Sequence, residues 1–140
     1  MARGQIGLEY LIVVAFVVFA VIIILGVSLF YTSSTRDQIK LNQIYTFANK
    51  VTSSAASVYY AGEPSKVTIV AYLPEGVYDI RIIDNNIVFT IVTSGGMAVT
   101  AFESKVPLDN GASAPLFSMN AGLKRIIVRA GTDRVYLSEG

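Results

Sequence analysis

Cysteine and histidine are both missing from these 140 positions. Without cysteine there can be no disulfide and no thiolate metal site. Without histidine the commonest general base and the commonest metal ligand are both gone. No nucleophile motif stands in their place, so an enzyme is the class with least support, and no metal or cofactor is expected. No Asn-x-Ser/Thr acceptor for N-glycosylation occurs. Charge is sparse as well. Only 15% of residues are charged, and 11 basic against 10 acidic residues leave a net +1. A basic stripe for nucleic acid is lacking, as is an acidic tail of the kind that keeps a segment disordered. No nucleic-acid partner is expected.

Apolar residues are abundant, at 53% of the chain, and they are unevenly placed. From Tyr10 to Tyr31 about 22 residues pass without a charge, enough for a membrane span. Gly26 is the only glycine in that run, and Ser28 the only strongly polar side chain besides the tyrosine hydroxyls. Hydrocarbon offers no partner for backbone N–H and C=O, so a lone segment of this kind must be helical. Its length would be roughly 33 Å against a bilayer core of about 30 Å. A cleaved secretory signal is the competing reading. Its apolar region should be about 7–15 residues, closed by a small-x-small site. Gly26-Val27-Ser28 has the right sizes, but it lies inside the run, with Leu29-Phe30-Tyr31 beyond it.

Ahead of the run stand only Met1-Ala2-Arg3-Gly4, too few to fold, and at its edge stands Glu9. A carboxylate beside hydrocarbon is costly. Either Glu9 sits in interfacial water at the helix N-terminus, where the macrodipole favours it, or it awaits a cation brought by a partner. The segment GQIGLEYLIV resembles the class III signal peptide of archaeal type IV pilins, whose apolar segment opens with Gln-x-Ser-x-Glu-x-x-x-Leu. Gln5 and Glu9 match in identity and spacing, Gly4 matches the small residue before the cut, and Arg3 matches the basic leader. Gly7 stands where serine is usual and Val13 where leucine is usual.

The resemblance implies a defined history. A prepilin peptidase would cut between Gly4 and Gln5, so the apolar helix is retained rather than discarded. Glu9 would meet the new N-terminal amine of a neighbouring subunit and set the register between copies. An unpaired carboxylate in a filament core costs several kcal/mol, and specificity is the better-attested use of a buried ion pair. Tyr10, Phe16, Phe19, Ile23 and Phe30 would pack in the filament core. The implied partners are identical subunits, the prepilin peptidase, an assembly ATPase with its membrane platform, and the membrane before assembly. The implied location is a membrane-inserted precursor that becomes an extracellular adhesive filament.

Beyond Tyr31 the run Thr32-Ser33-Ser34-Thr35-Arg36-Asp37-Gln38 turns polar, without the proline or glycine that would force a break. Ile44, Phe47, Ala48, Val51, Ala55 and Val58 then recur at three- and four-residue spacing, an amphipathic stripe. Ala61-Gly62-Glu63-Pro64 ends it. One nearly continuous helix from about Gly7 to Tyr60 is predicted.

From Ser65 the period becomes two. Val67, Ile69, Ala71 and Leu73 alternate with Thr68, Val70 and Tyr72, up to Pro74-Glu75-Gly76. Strand-like runs at 78–84 and 87–92 flank an Asn85-Asn86 loop. Further strands are read at 97–102, 124–130 and 134–138, with an irregular, surface-loop stretch at 105–122. Asp79, Asp84, Glu103 and Asp109 read as solvated charges.

The expected fold class is α+β, pilin-like: a long N-terminal helix, apolar in its first half, packed by its second half against a small antiparallel β-sheet head. The organisation reads as a leader at 1–4, a membrane or filament-core helix at 5–31, its amphipathic continuation at 32–61 and the head at 62–140. A pilin-type filament subunit is the leading reading. A single-pass protein with an extracellular binding domain that never polymerises is the alternative. A pilin-like component of a secretion or uptake machine is a third. An archaellin fits less well, because its N-terminal segment usually lacks the Gln-x-x-x-Glu arrangement and its chain is usually longer.

Overall fold

A computed structural model of the chain describes the backbone of residues 3–109 and 116–140, with side chains from Gly7 onward in those ranges. The class is α+β, one long N-terminal helix followed by strands. The chain divides into two compact units, Met1–Arg36 and Asp37–Gly140. Helix α1 runs over Arg3–Ala61.

In the first unit α1 passes through the polar stretch without interruption. The hydroxyls of Thr32, Ser33 and Thr35 donate to the carbonyls of Ser28, Leu29 and Tyr31, at 2.9, 3.4 and 3.0 Å. Each bond reaches back four residues, so these side chains are satisfied within the helix instead of competing with it.

In the second unit the rest of α1 supplies one face of the core. All six residues of the amphipathic stripe are buried, Ile44, Ala48, Val51 and Ala55 completely. The helix closes on Gly62, whose positive φ of 73° suits a residue without Cβ. Its N–H bonds the carbonyls of Val58 and Tyr59 at 3.2 and 3.1 Å.

Seven strands follow among the described residues: β1 Lys66–Leu73, β2 Val77–Ile83, β3 Asn86–Thr93, β4 Gly96–Glu103, β5 Leu108–Asp109, β6 Gly122–Ala130 and β7 Val135–Glu139. They form two sheets rather than one. The first has the order β1-β6-β7-β5, the second β2-β3-β4. All pairs are antiparallel except β5 with β7, which is parallel. Sequence periodicity is local and does not reveal which strands pair, so the division into two sheets had no signature.

Four local expectations are corrected. The β2–β3 loop is Asp84-Asn85, not Asn85-Asn86, because Ile83 pairs with Asn86. Asp84 and Asn85 have φ of 48° and 65°, the left-handed pair that a two-residue hairpin needs, and short polar side chains tolerate it. Val67 is exposed, and β1 turns inward only at Ile69, Ala71 and Leu73. The 105–122 stretch is not simply a surface loop: Val106, Leu108, Leu116 and Phe117 are core residues. Phe117 sits edge-on to Phe47 at 6.0 Å, and Phe47 meets Phe89 likewise at 5.9 Å. Two of the acidic residues read as solvated are paired, Asp79 with Arg81 and Asp109 with Arg134.

Candidate assembly face of the apolar helix

Within the first unit the apolar side chains of α1 are uncovered. Tyr10, Phe16, Phe19, Ile23 and Phe30 are 72, 72, 62, 50 and 78% exposed. A helix of this length and composition is long enough to cross a membrane.

Three of the four aromatic residues named above share a face with Glu9. Glu9, Phe16, Ile23 and Phe30 are spaced by seven residues, and a seven-residue step on an α-helix returns to within about 20° of its start. Phe19 falls on the same line at the intermediate step, with Ile12 and Gly26. That is the a/d arrangement with which helices interdigitate. Tyr10 points away from it, since one residue turns the helix by about 100°. Gly26 lies within the seam, and a Cβ there would meet nothing within 4 Å. Neither Ile12 nor Gly26 was read from the sequence as a packing position. The seven-residue spacing was the available signal, but it is hidden where almost every residue is apolar.

Glu9 is exposed at the head of this seam. Among the described residues no cation lies within ion-pair distance of it. Since α1 starts at Arg3, Glu9 lies in the second turn rather than at the N-terminus itself. The macrodipole falls off within the first turn, so it contributes little at Glu9 in this form of the chain. Gly4 and Gln5 have helical backbone, while their side chains lie outside the described residues.

Two polar clusters of the second unit lie around Lys124 and Asp109. Lys124 is buried and donates to the Ser118 hydroxyl and, at 3.4 Å, to Glu139. Glu139 also accepts the Ser118 N–H at 2.6 Å and its hydroxyl at 2.7 Å. These bonds, the N–H first, hold the Glu139 carboxyl below its usual range, and Lys124 adds to the effect. At the other cluster Asp109 accepts from Arg134 at 2.8 Å, which raises the arginine further above its already high value. No group of His, Cys, Asp and Glu able to hold a metal occurs among the described residues.

The chain matches no protein-family model, no curated protein and no solved structure.

Proposed function

We propose that this chain is the structural subunit of a surface filament of the archaeal type IV pilus kind, serving adhesion. The observation that carries the reading is the exposed seam of α1, apolar along its length and headed by the single carboxylate of Glu9.

The chain inserts with its leader on the cytoplasmic side, and a prepilin peptidase removes residues 1–4. The helix then leaves the bilayer and packs among identical helices. Lipid and leucine-like surfaces are similarly apolar, so the exchange has little hydrophobic driving force. Close packing along Phe16, Phe19, Ile23 and Phe30 supplies part of the gain. A cation facing Glu9 supplies the rest of the specificity, and the amine created at Gln5 is that cation. An assembly ATPase and membrane platform supply the work.

The same exposed helix would serve a single-pass anchor. N-terminal sequencing of the native surface protein separates the two. The filament reading expects the chain to begin at Gln5. Surface protein that retains Met1 overturns it in favour of the anchor.

A further inference from the structure

The two sheets present four edges, and three of them are blocked against further pairing. On β1 the residues that bond to β6 are the odd-numbered ones, as the Ala130 N–H to Ser65 carbonyl bond fixes, so Val70 turns its carbonyl outward. Lys50 donates to that carbonyl at 2.6 Å in the middle of the edge. β2 is interrupted by a bulge between Val77 and Asp79 and carries the Asp79–Arg81 ion pair. β5 is only two residues long. Bulges, charges, cover and shortness are the usual means by which proteins protect sheet edges.

β4 carries none of these between Gly96 and Phe102, and its one charge is Glu103 at its end. It is eight residues long, and from Gly96 to Phe102 it contains no charge and no proline. Its register with β3 is unbroken. The Ser104 N–H to Asn85 carbonyl bond sets the alternation, so the even-numbered residues of β4 bond to β3. Met97, Val99, Ala101 and Glu103 therefore turn their N–H and C=O groups to the open edge. The side chains of Met97 and Val99, 66 and 67% exposed, lie on the outer face of the sheet beside Val92 at 44%. This apolar strip is bounded by the Asp79–Arg81 pair on the β2 side and, among the described residues, by no paired strand on the β4 side.

We propose that β4 pairs antiparallel with β4 of a second copy of this chain, about a two-fold axis at Val99, joining two three-stranded sheets into one of six. In this register Val99 faces Val99 of the second copy, and Met97 faces Ala101. On the inner side Ala98 faces Thr100 and Gly96 faces Phe102. Apart from the central valines, each larger side chain meets a smaller one, and the only charge, Glu103, falls opposite Gly95 rather than its own counterpart. Opposed residues bring their outward backbone groups together in pairs, giving about six hydrogen bonds along the edge. One strand edge buries far less than the roughly 1,200–2,000 Å² of a stable complex. The contact is therefore weak between isolated chains and becomes strong where copies are concentrated on a membrane or along a filament. It does not depend on filament formation. A two-fold contact cannot run head to tail, so between polar filaments it joins separate filaments rather than successive subunits.

The chain has no native cysteine, so single introduced cysteines report the contact without background. Full-length Val99→Cys protein is oxidised in its membrane, before any assembly, beside Leu123→Cys, which is more exposed at 74% but lies on β6. The expected result is about ten-fold more disulfide dimer at position 99, since the paired strands bring the two α-carbons within disulfide range. A mixture of Met97→Cys and Ala101→Cys chains is expected to cross-link to each other more than either does to itself. It keeps the test decisive if the Val99 variant does not fold. Equal dimer at positions 99 and 123, together with no preferred 97–101 pairing, overturns the proposal. So does capture of a different protein at position 99 with no homodimer. N-terminal sequencing is unaffected by these outcomes.

Discussion

Asp37, on the helix, and Ser94, in the β3–β4 turn 57 residues later, form a two-point contact: the carboxylate of Asp37 accepts both the N–H of Ser94, at 3.0 Å, and its hydroxyl. The hydroxyl first, then the N–H, then the charge of Lys40 hold the Asp37 carboxyl below its ordinary value of 3.8. A carboxylate held low in the folded state contributes stability above its unfolded value and loses it as pH falls through the folded one. Acidification below pH 3.8 is therefore expected to loosen the β3–β4 turn. Protection of the Ser94 amide, taken relative to its intrinsic exchange rate at each pH, should fall over that window in the natural chain. In Asp37→Asn that protection should be low already at neutral pH and change little with acid.

The Lys124 cluster predicts an asymmetric mutational response. Glu139→Gln removes the carboxylate charge that faces the buried ammonium of Lys124, and a cost of about 1–3 kcal/mol is expected from a buried charge that has lost its counter-charge. Adding Lys124→Met to Glu139→Gln removes the charge itself and should return much of that loss. Denaturant titration of the detergent-solubilised chain measures both. Additive losses would mean that the two groups act independently.

Phe47 joins the helix to β3 and to the segment ahead of β6 through its edge contacts with Phe89 and Phe117, and it is 1% exposed. Phe47→Ala is expected to cost about 3–5 kcal/mol, from lost burial plus the cavity left behind. Ala48→Ser, also on the buried stripe, should cost less because it leaves no cavity. Thermal melts of the two variants give the order.

The left-handed pair at Asp84 and Asn85 sets the β2–β3 register. Asn85→Gly is expected to be neutral or to stabilise slightly, because glycine enters that conformation freely. Asn85→Val places a β-branched residue at positive φ and should destabilise by about 1–2 kcal/mol. Denaturation midpoints of the two variants should move in opposite directions, or Gly should stay level while Val falls.

At Glu9 the proposed register role predicts a separation of phenotypes. Glu9→Ala should still insert and still be trimmed to Gln5, because removing a carboxylate makes a helix easier to place in hydrocarbon. Filament yield should nevertheless collapse. Electron micrographs of cells carrying Glu9→Ala with normal filaments would refute the role.

Some elements were readable because their causes are local. The stripe from Ile44 to Val58 was found from spacing alone, and every member is buried. The stop at Gly62 was visible from glycine followed by Glu63-Pro64. The polar stretch at 32–38 left a break open in the sequence. The structure keeps it helical, with three of its hydroxyls bonded to carbonyls four residues back.

By itself the sequence determined the long apolar helix, the single carboxylate at Glu9, the amphipathic continuation and most strand segments. Each follows from composition or from a period of 3.6 or 2 within a short window. Only the tertiary structure decided that the strands divide into two sheets. It also decided that the 105–122 stretch contributes Val106, Leu108, Leu116 and Phe117 to the core, and that Lys124 is buried against Ser118 and Glu139. Of the four sheet edges it left one, β4, unguarded among the described residues. These depend on contacts between residues far apart in the chain, and a strand carries no local mark of its partner. β4 looks like any other strand until β1, β2 and β5 are seen to be guarded and it is not.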